Sequence, residues 1–228
     1  MNKSANIVLV LKSGGDFRMS DVYLLVSHIN KYWKGAVRPS IYCYTDLVTE
    51  EKQVVGLTIR RLPNPEWQGW WSKMNLFAPS LQALRPFLYL DLDTAVVNSI
   101  DAIVPPEDKQ DNFITLRDFY RPKYLASGLM WIPNTKLMDD IYSVWMADCK
   151  KHMIKFRGDQ NFLASVTLPN MFWQDVFGQD FITTFKPNKQ WRVNLEPHNA
   201  VICFHGKPRI PEAALTVKWV KEYVGYEI

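Results

Sequence analysis

The sequence has few cysteines, no long apolar run and no dense run of positive charge, and each shortage narrows what the chain can be. Cys43, Cys149 and Cys203 lie far apart with no CxxC pair. An odd, sparse set argues against a disulfide framework and against a structural zinc site. It suits a reducing cytoplasm. Cys43 and Cys203 fall in apolar runs and are expected to be buried thiols. No stretch approaches the roughly 18 apolar residues of a membrane span. The apolar opening, Asn6 to Leu11, is too short for the core of a secretion signal and reads as a first strand. Lysine and arginine number 27 against 23 aspartates and glutamates, a net charge of +4. That excess suits an anionic ligand or a peripheral contact with a membrane surface, but without a basic stripe it does not call for nucleic acid. The turn Ser13-Gly14-Gly15-Asp16 lacks the GxGxxG spacing of a dinucleotide site. Repeats, low-complexity tracts and linkers are also missing, so residues 1–228 read as a single domain.

What is present is an alternation of short apolar runs and helical patterns. Ile7 to Leu11 is continuous and apolar, the pattern of a strand buried on both faces. Val22, Leu25, Val26, Ile29 and Trp33 recur at helical spacing, with Ser20 or Asp21 as the expected cap. Ser40 to Tyr44 and Leu57 to Leu62 read as further strands, the second stopped by Pro63-Asn64-Pro65. Ser72 to Leu84 has a helical pattern that Pro79 is placed to break. Phe87 to Leu90, Asn112 to Leu116 and Ala126 to Ile132 read as strands. Leu137 to Lys151 reads as one helix, Phe162 belongs to another, and Val201 to Phe204 is a late strand. Alternation of this kind predicts an α/β fold with a mostly parallel sheet and helices on both faces. Nine tryptophans are many for 228 residues, and most are expected in the core.

Two strand ends carry the chemistry. In Phe87-Leu88-Tyr89-Leu90-Asp91-Leu92-Asp93 an apolar strand runs directly into two acids. Side chains at i and i+2 of a strand share a face, about 6–7 Å apart. Asp91 and Asp93 would therefore aim two carboxylates at one spot, at the carboxyl end of a strand where open α/β sheets bind ligands. Two such charges want a cation, and oxygen donors favour Mg2+ or Mn2+. The second strand end is Val201-Ile202-Cys203-Phe204-His205-Gly206-Lys207-Pro208. A neutral histidine there can complete a metal site, and Lys207 can meet a phosphate as a point charge.

Together with Ser127-Gly128 and Asp159-Gln160, in that order along most of the chain, these clusters resemble the retaining, GT-A-type glycosyltransferases of family eight. This is the glycogenin and bacterial galactosyltransferase family. The resemblance implies a Rossmann-type central sheet and transfer of a sugar from a nucleotide sugar, a UDP-sugar, to an acceptor. It implies Asp91, Asp93 and His205 as ligands of Mn2+ or Mg2+ on the donor diphosphate, with Lys207 touching that diphosphate. Ser127, Gly128, Asp159 and Gln160 would surround the transferred sugar, the last two in catalytic roles, and Lys73 would add a donor contact. Lys12, Ser13, Tyr44 and Asp46 would hold the nucleoside. The residue before Ser127 is Ala126 where the family has asparagine, and His205 and Lys207 stand closer together than is usual. The acceptor is left open among a glycan, a lipid-linked saccharide, a protein and a modified nucleobase. Two other readings compete: a haloacid-dehalogenase-like phosphatase with Asp139-Asp140 as its second acidic pair, and a non-enzymatic carbohydrate- or nucleic-acid-binding module.

Overall fold

The computed structural model describes residues 5–169, 171–178 and 180–225. Its first strand, β1 (Asn6–Leu11), lies between β2 (Ser40–Thr45) and β5 (Phe87–Leu90), parallel to both. Beyond β2 come β4 (Leu57–Arg61), also parallel, and the short β3 (Lys52–Val54), which folds back on it. On the other side β5 pairs antiparallel with β8 (Leu125–Ile132). That strand pairs antiparallel with β7 (Ile114–Arg117), and β9 (Met171–Phe172) closes the row parallel to β7. The eight strands run in the order β3-β4-β2-β1-β5-β8-β7-β9, so the expected mostly parallel α/β sheet is present. It turns antiparallel on both sides of β8.

The continuous apolar runs follow from this position. Ile7, Leu9 and Leu11 of β1 face one core, while Val8 and Val10 face another on the opposite side. The first core takes Val22, Leu25 and Ile29 of α1 (Met19–Tyr32) and residues of a second, small sheet. In the second core, Trp71, Met74 and Phe77 meet Ile141 and Trp145 of α2 (Lys136–Ala147). Phe162 and Leu163 also pack there, from α4 (Asp159–Val166), which follows α3 (Cys149–Lys155).

Several expected elements differ in form. The cap of α1 is Arg18, not Ser20 or Asp21; Asp21 instead accepts from the Arg18 amide at 2.7 Å, reaching back from inside the first turn. Residues 72–84 form no α-helix. They lie in two 3-10 segments, Gly69–Phe77 and Pro79–Leu84, separated by extended Ala78 (φ −60°, ψ 142°). A residue before proline is pushed out of the helical region by the ring, which accounts for the break. The helix expected over 137–151 is two helices. Asp148 leaves helical geometry and its carboxylate accepts from the Lys151 amide at 3.0 Å, capping α3.

The small sheet was not expected, and it fixes the site. It comprises β6 (Thr94–Val96), β10 (Ile182–Thr184) and β11 (Val201–Cys203) in the order β10-β11-β6. The chain leaves β5, passes through Asp91-Leu92-Asp93 and enters β6. There it pairs antiparallel with β11, Thr94 opposite Cys203 and Val96 opposite Val201. The two acids therefore stand at the corner between the sheets. The remaining helices are α5 (Trp173–Phe177), α6 (Ile210–Ala213) and α7 (Lys218–Val224). None of the helices among the described residues is long and apolar enough to cross a membrane.

Candidate active site

A cleft of about 790 Å³ opens over the carboxyl ends of β1 and β5, and Asp91, Asp93 and His205 all line it. Backbone pairing builds its floor. The Asp91 amide donates to the Gly128 carbonyl at 2.8 Å, extending the β5–β8 ladder by one residue. The Phe204 amide donates to the Asp93 carbonyl at 2.9 Å, extending the β6–β11 ladder. His205 is thereby carried to the side of Asp93. Gly206 follows in the left-handed region (φ 83°), where glycine turns the chain without a Cβ clash.

Most charges on the cleft floor are already paired. Lys73 lies 3.0 Å from Asp91 and 3.4 Å from Asp159, and donates to the Ser127 hydroxyl at 3.2 Å. Ser127 donates to Asp159 at 2.6 Å, closing a network of four side chains of which Ser127 and Asp159 are buried. The Tyr89 hydroxyl donates to the other oxygen of Asp91. Burial pulls the Lys73 ammonium down, but Asp159 and Asp91 outweigh it and hold its pKa above the ordinary lysine range. Asp93 is buried and carries Arg209 at 2.6 Å. Burial first, and the Asp91 charge second, still push its carboxyl up to about 6 against the pull of Arg209 and Lys73. The Arg209 guanidinium also bridges to Asp16 at 3.1 Å, tying the late loop to the first βα turn.

His205 stacks on Phe119 with ring centres 5.6 Å apart, and its Nε2 lies 2.7 Å from the Thr184 hydroxyl. Burial, then Lys186, lowers its pKa to about 4, so the ring is neutral at physiological pH. Among the described residues no three His, Cys, Asp or Glu side chains stand together as an assembled metal cage. Asp91 and Asp93 share the cleft with the imidazole, but Arg209 sits on Asp93 and Thr184 holds the ring.

Other expected residues divide. Lys12, Lys73, Ser127, Gly128, Asp159 and Gln160 line the cleft. Gln160 donates to Asp118 at 3.1 Å, and Asp118 also accepts from the Tyr120 and Arg121 amides, each at 2.9 Å. Lys12 pairs with Asp46, which also accepts from the Ser13 amide at 2.8 Å. Those bonds outweigh the effect of burial and lower Asp46 to about 2. Tyr44 is not brought to the cleft; it is buried in the second core. Lys207 is not brought there either, since its exposed ammonium pairs with Glu212 at 3.1 Å. Its carbonyl and that of His205 accept from Lys186, at 2.8 and 2.7 Å.

Sequence reading missed Arg209, Lys186 and Asp118. Lys186 follows β10 as His205 follows β11, so the strand-end rule could have found it had β10 been legible. Asp139 pairs with Arg85, and Asp140 pairs with Lys136 on the surface of α2. Neither lines the cleft, so the second acidic pair required by the phosphatase reading is not at the site. Two of the other histidines are structural, His28 bonding the Tyr223 carbonyl and His152 the Val144 carbonyl, while His198 is exposed, 3.7 Å from Asp180.

No protein-family model matches the chain, and no curated protein matches its sequence. Solved structures do resemble it. The glycosyltransferase GlyE of Streptococcus pneumoniae TIGR4 superposes over 99% of this chain with a TM-score of 0.68 at 12% identity. This chain spans 61% of the length of GlyE. The galactosyltransferase LgtC, solved with donor and acceptor sugar analogues, matches over 96% of this chain and 95% of its own, at 13% identity and a TM-score of 0.63. The bifunctional glycosyltransferase WbbM matches over 98% of this chain and 51% of its own, at 9% identity and a TM-score of 0.59. At such identities the likeness is one of architecture, and the architecture is the GT-A fold of glycosyltransferases.

Proposed function

We propose that the chain is a glycosyltransferase that moves a sugar from a nucleoside diphosphate sugar, a UDP-sugar, to an acceptor hydroxyl with retention at the anomeric carbon. One observation carries the proposal. In a glycosyltransferase fold, Asp91 and Asp93 stand at the carboxyl end of an interior strand, on the floor of a cleft large enough for a nucleotide sugar. The three free thiols suit a reducing compartment, and we assign the reaction to the cytoplasm.

The residues fit a divalent cation. Asp93 is buried beside Asp91, and burial and then the Asp91 charge raise its pKa despite Arg209. Carboxylate oxygens suit Mn2+ or Mg2+, and the neutral His205 ring is in the protonation state that ligates. Asp91, Asp93 and His205 would hold the ion, with Arg209 leaving Asp93 and His205 leaving Thr184. A cation bound there supplies Lewis-acid stabilisation of the charge on the leaving diphosphate. Lys73 holds Asp91 and Asp159 in place. Asp159 and Gln160 then face the transferred sugar and stabilise the positive charge that builds on its ring. For the diphosphate we favour Arg209 over Lys207. Arg209 lines the cleft and offers a planar fork suited to phosphate oxygens, whereas Lys207 points at Glu212.

The test is a donor screen. Purified protein with manganese is incubated with a panel of UDP-, GDP- and other nucleotide sugars, and nucleoside diphosphate release is measured. Release from one donor, lost on chelation, is the expected result. Release from none would overturn the proposal.

A further inference from the structure

Seven of the nine tryptophans are buried; Trp70 and Trp191 are exposed, and of these two Trp70 lines the cleft. Trp70 is 57% exposed. No other ring stacks on it among the described residues, and its indole N–H has no hydrogen-bond partner there. Its edge rests against Gly158, where a Cβ would come within 3.2 Å of Nε1, so this approach depends on the missing side chain. Gly158 leads directly into Asp159 and Gln160 at the start of α4, which packs on β8. Lys12, at the other flank, directly follows β1. Because β1 and β8 border β5 on opposite sides, Trp70 stands on the flank opposite the one where the nucleoside is expected. Two polar side chains flank the Gly158 segment. Arg157 and Asn161 are exposed and line the same cleft, and Arg157 has no ion-pair partner among the described residues.

We propose that Trp70 is the platform on which the acceptor stacks, and that the acceptor is a pyranose ring of a glycan. This rests on the glycosyltransferase reading above. A large aromatic face left in water is costly and is covered when a flat apolar partner binds. A pyranose presents C–H bonds on its face and hydroxyls at its rim, so the face suits the indole and the rim suits the Arg157 and Asn161 donors. A lipid chain would leave the polar groups of Arg157 and Asn161 without partners, and a nucleic acid would need a basic stripe. In the reaction the acceptor oxygen bonds to the anomeric carbon as the bond from that carbon to the diphosphate oxygen breaks. The diphosphate departs with the electron pair, and the hydroxyl proton passes to the departing phosphate.

Methyl glycosides of glucose, galactose and N-acetylglucosamine serve as probes, with UDP and manganese present. Saturation-transfer NMR should show ring-proton signals from at least one glycoside with wild type. The signal should be lost in Trp70→Ala and kept in Trp70→Phe, both variants melting like wild type. In transfer assays Trp70→Ala should raise the acceptor KM about tenfold, the effect of removing one aromatic anchor, with a smaller change in kcat. Equal glycoside binding by wild type and Trp70→Ala would overturn the proposal. Binding of a peptide or RNA oligonucleotide with no glycoside binding would also overturn it. Nucleoside diphosphate release by wild type without glycoside tests the enzyme reading separately. Its absence with every donor would remove the transferase and with it the acceptor role, whatever glycosides bind.

Discussion

Asp93 shows how a single side chain can serve the site at the expense of the fold. It is a buried carboxylate beside a second carboxylate, and Arg209 only partly compensates it. Replacing it by asparagine removes a charge that the folded state tolerates poorly. Asp93→Asn is therefore expected to lower donor turnover by about a hundredfold or more, the equivalent of roughly 2.7 kcal/mol, without lowering the melting temperature. Turnover near wild type would remove Asp93 from the chemistry. Lys73 has the opposite character, since it neutralises two acids from within. Lys73→Met leaves Asp159 buried without its cation and should cost about 3 kcal/mol in a urea titration, as breaking a buried pair does. Adding Asp159→Asn should recover part of that loss; if it recovers none, the pair is not what Lys73 stabilises.

At the scale of elements, the sequence was most informative where a segment buries both faces or one clear stripe. The expected strands over 7–11, 40–44 and 87–90 and the helix beginning near Val22 are all present. Breaks were harder to see. The periodicity over 137–151 continues through Asp148, where the chain leaves the helix and starts a new one. Only the capping bond to Lys151 marks the change, and an aspartate within a helical pattern does not announce it. Asp148→Ala should destabilise the protein by about 1 kcal/mol if that cap is a normal one. Denaturant midpoints of the two proteins measure it, and identical midpoints would show that the break is fixed by packing alone. Short strands were the main omission. β6, β10 and β11 have three residues each, too few for a period, and only the last was expected because it ends in a distinctive motif.

For the whole molecule, stability depends on ties between distant segments. Asp46 is one such tie, joining the ends of β1 and β2 through Lys12 and Ser13. Its folded pKa of about 2 lies below the ordinary 3.8. The stabilisation is therefore complete above that ordinary value and is lost as pH falls through the folded one. Asp46→Asn should make the protein less stable at neutral pH and flatten the acid limb of its stability between about pH 4 and 2. Parallel acid limbs for wild type and variant would show that Asp46 contributes nothing there. Arg209 is a second tie, linking Asp93 to Asp16, which is 193 residues from it in sequence.

The sequence by itself determined the α/β alternation, the apolar strand β5 and the two acids at its end. Those features are written in neighbouring residues, where burial forces a local pattern. It also supplied His205, Ser127 and Asp159 as residues of interest. The tertiary structure decided which of them meet. Pairing of β6 with β11 carries His205 and Arg209 to Asp93, although Arg209 is 116 residues away in sequence. That pairing also leaves Lys207 pointing at Glu212 rather than into the cleft. The antiparallel entry of β8, which delivers Ser127 to Asp159 and Lys73, was likewise decided by the fold. Strand partners are chosen by long-range packing and ladder hydrogen bonds, which leave no periodic trace in either strand. A sequence can therefore name the groups of a site long before it can say which charges they will face.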